Sequence, residues 1–336
     1  MTSFVLLGGA GYIGSHVAKA LVRAGWTPII VDNLSRGQAL SVAGLTLEQA
    51  DILDTPALVS IFKKYQPSAI LHFAGLIEVS ESVKNPSEFH RNNAQGTASV
   101  ISAMAQAQIK HLIFSSTAAV YGQPDHQAPF PENLPPCPIN PYGESKLTAE
   151  QIIQESYHQH GICSVIFRFF NACGADIDAE IGEMHDPETH LIPLVIQTAL
   201  GLRESVSLFG EDYPTPDGTC VRDYVHVDDI ARAHLLALTY LQSGGESVIC
   251  NLGSGTGYSV REVMREIEKL TDHGRLSITA EPRRAGDPAY LVADISRTCS
   301  VLGWSPHHTL RDICESAYRW HQSDIYQNFW RSRRRG

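Results

Sequence analysis

Tyr142 and Lys146, in the run YGESK, are the two residues whose types and spacing best suit proton movement. A phenol ionises near pH 10, so it acts as a base at neutral pH only if its pKa falls by about 3 units, roughly 4 kcal/mol. A neighbouring ammonium and the positive ring of an oxidised nicotinamide would both favour phenolate in a partly desolvated cleft. Pro141 comes immediately before, as at the start of a helix, and four residues of helix bring phenol and ammonium onto one face. A surface tyrosine and an ordinary helix lysine would show the same spacing.

The second candidate is GGAGYIG, where Gly8, Gly11 and Gly14 follow the β-rich run SFVLL and precede an amphipathic stretch. In a dinucleotide site Gly8 permits the tight turn, Gly11 lets the backbone approach a pyrophosphate, and Gly14 lets helix pack closely on sheet. The helix N-terminus then faces the anion. An ordinary glycine-rich turn would match as well, but Asp32 ends the next β-rich run, TPIIVD, where a carboxylate accepts both hydrogen bonds of an adenosine ribose diol. Its charge repels a 2′-phosphate and favours NAD over NADP, while Arg36 keeps NADP open and a capping or turn role is equally open for Asp32. The third candidate is HLIFSSTAAVYG, a strand whose end carries Ser115, Ser116 and Thr117. One of these hydroxyls could bridge substrate and Tyr142, or all three could satisfy backbone groups at the strand end.

The elements that must hold these residues alternate. Strands are predicted at 3–8, 27–32, 45–50, 69–73, 110–115 and 163–168, with helices at 12–24, 55–64, 86–107 and 141–159. Crossovers of that length make right-handed βαβ units, hence an α/β, doubly wound, parallel Rossmann-type sheet. From about residue 171 the texture changes to Gly-, Asp- and Pro-rich segments, with a second such loop at 209–219. A helix at 227–241 and a strand at 247–251 return the chain to the sheet. The expected division is 1–170 with 225–253 for the dinucleotide domain, and 171–224 with 254–336 for a smaller, discontinuous second domain.

Composition narrows the class. A chain of 336 residues with 43% hydrophobic residues can bury a substantial core, and no apolar run is long enough to span a bilayer. With no membrane segment and no leader, the expected location is cytoplasmic. Cysteines 137, 163, 173, 220, 250, 299 and 314 are scattered and never spaced CxxC, which argues for reduced thiols rather than disulfides or zinc. None of the 15 histidines forms HxxxH or HExxH, so no metal is expected, and His72 inside a strand reads as a core residue. A net charge of −10 repels nucleic acid, and an anionic ligand must be gripped by local arginines. The basic tail RSRRRG reads as a solvated terminus.

GGAGYIG, HFAGL at 72–76, FSSTAAVYG and YGESK together resemble the extended short-chain dehydrogenase/reductase family over almost the whole chain. PTPDGTCVRDYVHVDD at 214–229, SGTGYSV at 254–260 and PRRAGD at 282–287 are similar to its UDP-glucose 4-epimerase subfamily. The resemblance implies that Tyr142 is the acid/base and that Lys146 holds the nicotinamide ribose. It also implies that Thr117 replaces a usual serine at the substrate hydroxyl. By position in the matching motifs, NAD would touch Gly8, Gly11, Tyr12, Ile13, Gly14, Asp32, Asn33, Asp51, Ile52, Phe73, Ala74, Gly75 and Asn92, besides Tyr142 and Lys146. A UDP-sugar would touch Thr117, Asn171, His190, Leu191, Phe209, Arg222, Arg284 and Asp287. Two arginines suit a diphosphate, because guanidinium forks pair with phosphate oxygens. The resemblance further implies a second domain that binds the sugar nucleotide, a homodimer, and NAD that stays bound on purification.

The implied reaction is redox without net redox, through a 4-keto sugar that turns over and takes hydride back on its other face. Three departures stand out: Thr117 itself, Ile77 where a lysine is common, and Leu291 at a position whose bulk limits N-acetylated sugars. UDP-xylose/UDP-arabinose and UDP-N-acetylglucosamine 4-epimerases stay open as alternatives. A 4,6-dehydratase needs further acid/base groups where this chain has Ala118 and Ala119, which cannot transfer protons. An NAD(H)-binding module without catalysis would not need the Tyr142/Lys146 pair.

Overall fold

Alternate residues of the first β-rich run are buried in opposite directions. Phe4 and Leu6 join one hydrophobic cluster, Val5 and Leu7 another, and all four are 0% exposed. Such a strand must be covered on both faces, as a parallel sheet requires. The computed structural model describes residues 2–123, 129–271, 276–284 and 287–333.

Its strands are β1 Ser3–Leu7, β2 Thr27–Asp32, β3 Thr46–Gln49, β4 Ala69–His72, β5 His111–Thr117, β6 Cys163–Phe169 and β7 Asn171–Cys173. They continue with β8 Val206–Phe209, β9 Val221–His226, β10 Val248–Leu252, β11 Gly257–Ser259, β12 Ile278–Glu281 and β13 Tyr290–Leu291. Seven of them form one parallel sheet in the order β10-β6-β5-β4-β1-β2-β3. The order reverses between β1 and β4, and ligands of open α/β sheets bind in the crevice beyond the carboxyl ends there.

Helices Tyr12–Arg23 and Val227–Gln242 cover one face through Val17, Leu21, Ile230 and Leu238. Helices Thr55–Tyr65, Gly96–Gln106 and Pro141–His160 cover the other through Leu58, Phe62, Val100, Met104 and Ile153. Each buried Leu, Ile or Phe contributes about 1.5–3 kcal/mol. These two clusters therefore fix the strand ends from which the functional loops depart. His72 is a core residue, 0% exposed and hydrogen-bonded to Thr97.

The remaining strands lie apart from this sheet. β9 pairs with β7, β11 and β13, and β8 runs parallel to β12. Helices Leu191–Ala199, Val260–Glu268 and Leu310–Gln322 pack round them on Ile192, Val195, Val263, Ile267 and Ile313. Capping boxes at Ser259/Glu262 and Thr309/Asp312 start the last two helices.

The predicted helix 86–107 is not one helix. Residues Pro86–Phe89 are α-helical, His90–Gln95 widen into a π turn, and Gly96–Gln106 resume. A Cβ at Gly96 would lie 2.5 Å from Ile52 Cδ1, so the second piece docks closely at this point. β5 also runs two residues beyond its expected end, which makes Thr117 its last residue. Of the tail RSRRRG, residues 334–336 lie outside the described residues, as do 285 and 286 of PRRAGD.

Candidate active site

The turn after β1 rests on the turn after β4. Gly8 has φ +73°, and a Cβ there would stand 2.5 Å from the Ala74 nitrogen. A Cβ at Gly14 would stand 2.6 Å from the Gly8 oxygen, whereas at Gly11 the nearest atom, the same oxygen, is 3.3 Å away. Gly8 and Gly14 are thus demanded by the fold, while at Gly11 a Cβ would meet one tight contact and otherwise open space. Helix Tyr12–Arg23 begins with no side-chain cap and no acidic residue in its first turn, so its N-terminus faces the opening as an anion site.

Asp32 is buried and accepts from the N–H groups of Ala10 and Leu34 at 3.0 and 2.9 Å. Burial raises its pKa, and these two hydrogen bonds work against the rise. The carboxylate thus has the turn role and still faces the cleft, with lone pairs left for a ribose diol. Arg36 turns to Glu78 at 3.6 Å and to the Asp186 carbonyl at 3.4 Å, so it is engaged away from Asp32. Asp51 lies between Ala50 and Ile52, which both border the cleft. It is not among the residues lining the cleft, and it accepts instead from Asn33 Nδ2 at 3.0 Å and from the Leu53 N–H at 2.8 Å. It sits behind Asn33 and positions it.

Asn140 caps the helix that carries Tyr142 and Lys146, its Oδ1 accepting from the Gly143 N–H at 2.9 Å, and Pro141 opens the first turn. Tyr142 is partly buried with its ring edge-on to Phe89. Lys146 is 3% exposed and donates to the Ser115 main-chain oxygen at 2.9 Å. Burial lowers the Lys146 pKa to about 8. The phenol does not behave as its neighbour's charge alone would predict. Burial raises the Tyr142 pKa, the hydrogen-bonded Thr117 hydroxyl opposes the rise, and Glu78 adds to it.

Of the three hydroxyls at the end of β5, the structure distinguishes two roles. Ser116 donates to Glu150, whose carboxylate is held by Arg168 through contacts of 2.7 and 3.0 Å, all of it buried. Thr117 is the hydroxyl on Tyr142, and it also accepts from the Ala119 N–H at 3.1 Å.

Opposite this wall stand the expected sugar-nucleotide residues. Asn171 donates to the Asp223 carbonyl at 2.7 Å, tying β7 to β9. Arg222 lies 3.1 Å from Asp287 and donates to the Pro288 carbonyl at 2.8 Å. The Arg284 guanidinium stacks 3.9 Å from the Phe209 ring centre. Leu291, on β13 beside Arg222, and Ile77 also face the cleft. A single cleft of about 1650 Å³ takes in the glycine turn, Asp32, Thr117, Tyr142, Lys146, Asn171, His190, Leu191, Phe209, Arg222, Arg284 and Asp287. Asn33, Ile52, Phe73, Ala74, Gly75 and Asn92 border it as well. Tyr12 bridges its two sides by donating to the Gly174 carbonyl at 2.7 Å.

Sequence reasoning missed Asn93. Its side chain accepts from the Leu76 N–H at 2.8 Å and donates to the Leu76 carbonyl at 3.0 Å and to Ser145 at 2.9 Å, which clamps HFAGL onto the helix of Tyr142 and Lys146. The π turn brings it inward, a role π turns often have at functional sites. It also missed a group of carboxylates and imidazoles at Glu183, His185, Glu188 and His190, whose spacing matches neither HxxxH nor HExxH.

The sequence profile of the NAD dependent epimerase/dehydratase family matches residues 4–253. The UDP-glucose 4-epimerase of Rhizobium meliloti (strain 1021) is 48% identical over 319 residues, covering 95% of this chain and 97% of that protein. The crystal structure of UDP-glucose 4-epimerase from Brucella ovis in complex with NAD superposes with a TM-score of 0.92 at 43% identity, over 95% of this chain and 98% of that one. The enzyme from Stenotrophomonas maltophila, solved with bound NAD and formylated UDP-arabinopyranose, gives a TM-score of 0.92 at 38% identity, covering 100% of this chain and 99% of that one.

Proposed function

The chain belongs to the NAD dependent epimerase/dehydratase family, and from that we infer that it is a UDP-glucose 4-epimerase, an NAD-dependent isomerase of UDP-sugars. The observation that carries the mechanism is the convergence of Tyr142, the Thr117 hydroxyl and Lys146 at the carboxyl end of β5, facing the Arg222/Arg284 side of one cleft.

NAD fits the residues present: the Gly8 turn is packed so closely that a Cβ would collide, the helix N-terminus is uncapped, and Asp32 faces the cleft. When bound, it accepts and returns hydride at the sugar C4 and brings a positive ring into the cleft. Tyr142 then takes the proton of the sugar 4-hydroxyl as that carbon is oxidised, and gives it back when the 4-keto sugar is reduced on its other face. Thr117 orients the hydroxyl between sugar and phenol. Lys146, pinned by the Ser115 carbonyl, stands at the ribose side. Arg222 and Arg284 hold the diphosphate while the hexose turns. Ala118 and Ala119 offer no second acid, which disfavours elimination to a 4,6-dehydratase product.

On this reading residues 1–170 with 225–253 bind NAD and 171–224 with 254–336 bind the sugar nucleotide, with β9 straddling the boundary. The fine roles of the individual contact residues rest on motif position and on their common cleft. We further propose that the enzyme works in galactose metabolism as a cytoplasmic homodimer. Support comes from the family likeness and from the seven free thiols, and no described helix is long and apolar enough to cross a membrane.

Incubating the purified protein with UDP-galactose, without and then with added NAD, should yield UDP-glucose. A 4-keto-6-deoxy product, or no conversion under either condition, would sink the proposal.

A further inference from the structure

One loop brings four metal-binding side chains to a point. Glu183, His185, Glu188 and His190, in the run EMHDPETH between β7 and helix Leu191–Ala199, each offer one ligand atom, all within 4.8 Å of one another. It is the only such group among the described residues. Glu183 Oε1 lies 2.7 Å from His190 Nδ1 and 2.8 Å from His185 Nδ1, and Glu188 Oε1 lies 3.1 Å from His190 Nδ1. Both carboxylate side chains are 6% exposed. Two enclosed carboxylates have lost their hydration, and the imidazoles of His185 and His190 offset their charge, a role that a cation bound by all four side chains would take over.

The backbone that carries them is fixed independently of any ion. Trp320 Nε1 donates to the Glu183 carbonyl at 3.0 Å, and Gly182 is packed so tightly on the Trp320 ring that a Cβ would stand 2.5 Å away. Glu188 accepts from the N–H groups of Thr189 and His190 at 2.7 and 2.8 Å. An entering ion replaces the imidazole–carboxylate hydrogen bonds of 2.7–3.1 Å, and the ligand atoms spread to the roughly 3.3 Å edge of a tetrahedral shell. Two imidazole nitrogens with two carboxylate oxygens suit a borderline transition ion, and four protein ligands close a tetrahedral shell.

We propose that this loop is a structural site for a divalent transition cation of the Zn²⁺ class, held by Glu183, His185, Glu188 and His190. The ion neutralises the two carboxylates and cross-links the loop at the point where it enters the helix beginning at Leu191. Because the loop borders the cleft, the ion also orders one wall of the substrate side. The site goes beyond the epimerase reading, and His190 would meet the ion through Nδ1, leaving Nε2 for the UDP-sugar contact that its motif position implies.

The test uses the full-length protein, stripped with chelator and titrated with Co²⁺ and then Zn²⁺. The expected result is one equivalent of cobalt per chain, with visible bands of a tetrahedral site, displaced by one equivalent of zinc that raises the melting temperature. His185→Ala, and the double variant with Glu188→Gln, should bind at least about tenfold more weakly and lose the zinc-dependent rise. X-ray absorption of zinc-loaded wild type should show nitrogen and oxygen donors including two imidazoles, a readout that needs no variant to fold. Absence of tetrahedral bands, uptake equal in wild type and variants, or sulfur in the zinc shell would each overturn the proposal.

Discussion

The Lys146 ammonium donates to the Ser115 main-chain oxygen at 2.9 Å in a setting 3% exposed to solvent. A buried cation held by one carbonyl is costly to keep, and burial brings its pKa down to about 8 from an ordinary value of 10.5. A group whose folded pKa lies below its unfolded one weakens the fold while it is charged. The penalty is full below pH 8 and fades as pH rises toward the unfolded value. In cofactor-free protein Lys146→Met should therefore raise stability near pH 7 by about 3 kcal/mol while removing turnover. Melting curves of both proteins across pH 7 to 10 check this, and a gap that widens with pH would contradict it.

Tyr142→Phe keeps the ring on Phe89 and removes only the hydroxyl to which the proposal assigns proton transfer. Turnover should fall by about 10²–10⁴-fold with UDP-sugar affinity nearly unchanged. Separate measurement of kcat and of binding decides the matter, and a variant with normal kcat would remove the phenol from its role.

Thr117 has two duties, one toward Tyr142 and one toward the Ala119 N–H. Thr117→Ser should retain most activity because the oxygen is kept. Thr117→Ala should lose at least about tenfold in kcat, since a hydrogen bond to a charged group contributes about 1.5–3 kcal/mol. Equal rates for the two variants would show that the hydroxyl is not used.

Gly8 and Gly11 should fail differently. At Gly8 a Cβ would meet Ala74 backbone at 2.5 Å with φ already positive, so Gly8→Ala should destabilise the cofactor-free fold by about 1–3 kcal/mol. At Gly11 the only near atom is 3.3 Å away, so Gly11→Ala should melt like the parent and lose only NAD affinity. Melting temperature and NAD content of the two purified variants check the contrast.

Much of this was legible before any fold was seen, because it is local. Strand SFVLL, the glycine turn, the amphipathic helix after it, and the Pro141-Tyr142-Lys146 spacing each follow from periodicities and backbone preferences within about ten residues. The seven-stranded parallel sheet followed from their alternation. What sequence could not supply were choices among equals. Ser115, Ser116 and Thr117 are interchangeable as text, and only the buried Glu150/Arg168 pair takes Ser116 out of contention. The hydrogen bond that joins Asn33 to Asp51 across 18 positions is likewise invisible in the text.

The sequence by itself determined the dinucleotide fold and the placing of Tyr142 and Lys146 one turn apart on one helix, since both are written in short-range spacing. The tertiary structure alone decided the rest: the π turn that brings Asn93 onto Leu76, the union of Arg222 with Asp287 across 65 positions, and the convergence of Glu183, His185, Glu188 and His190. These depend on the direction in which side chains leave packed elements, and packing direction is a property of the whole core rather than of any window of residues.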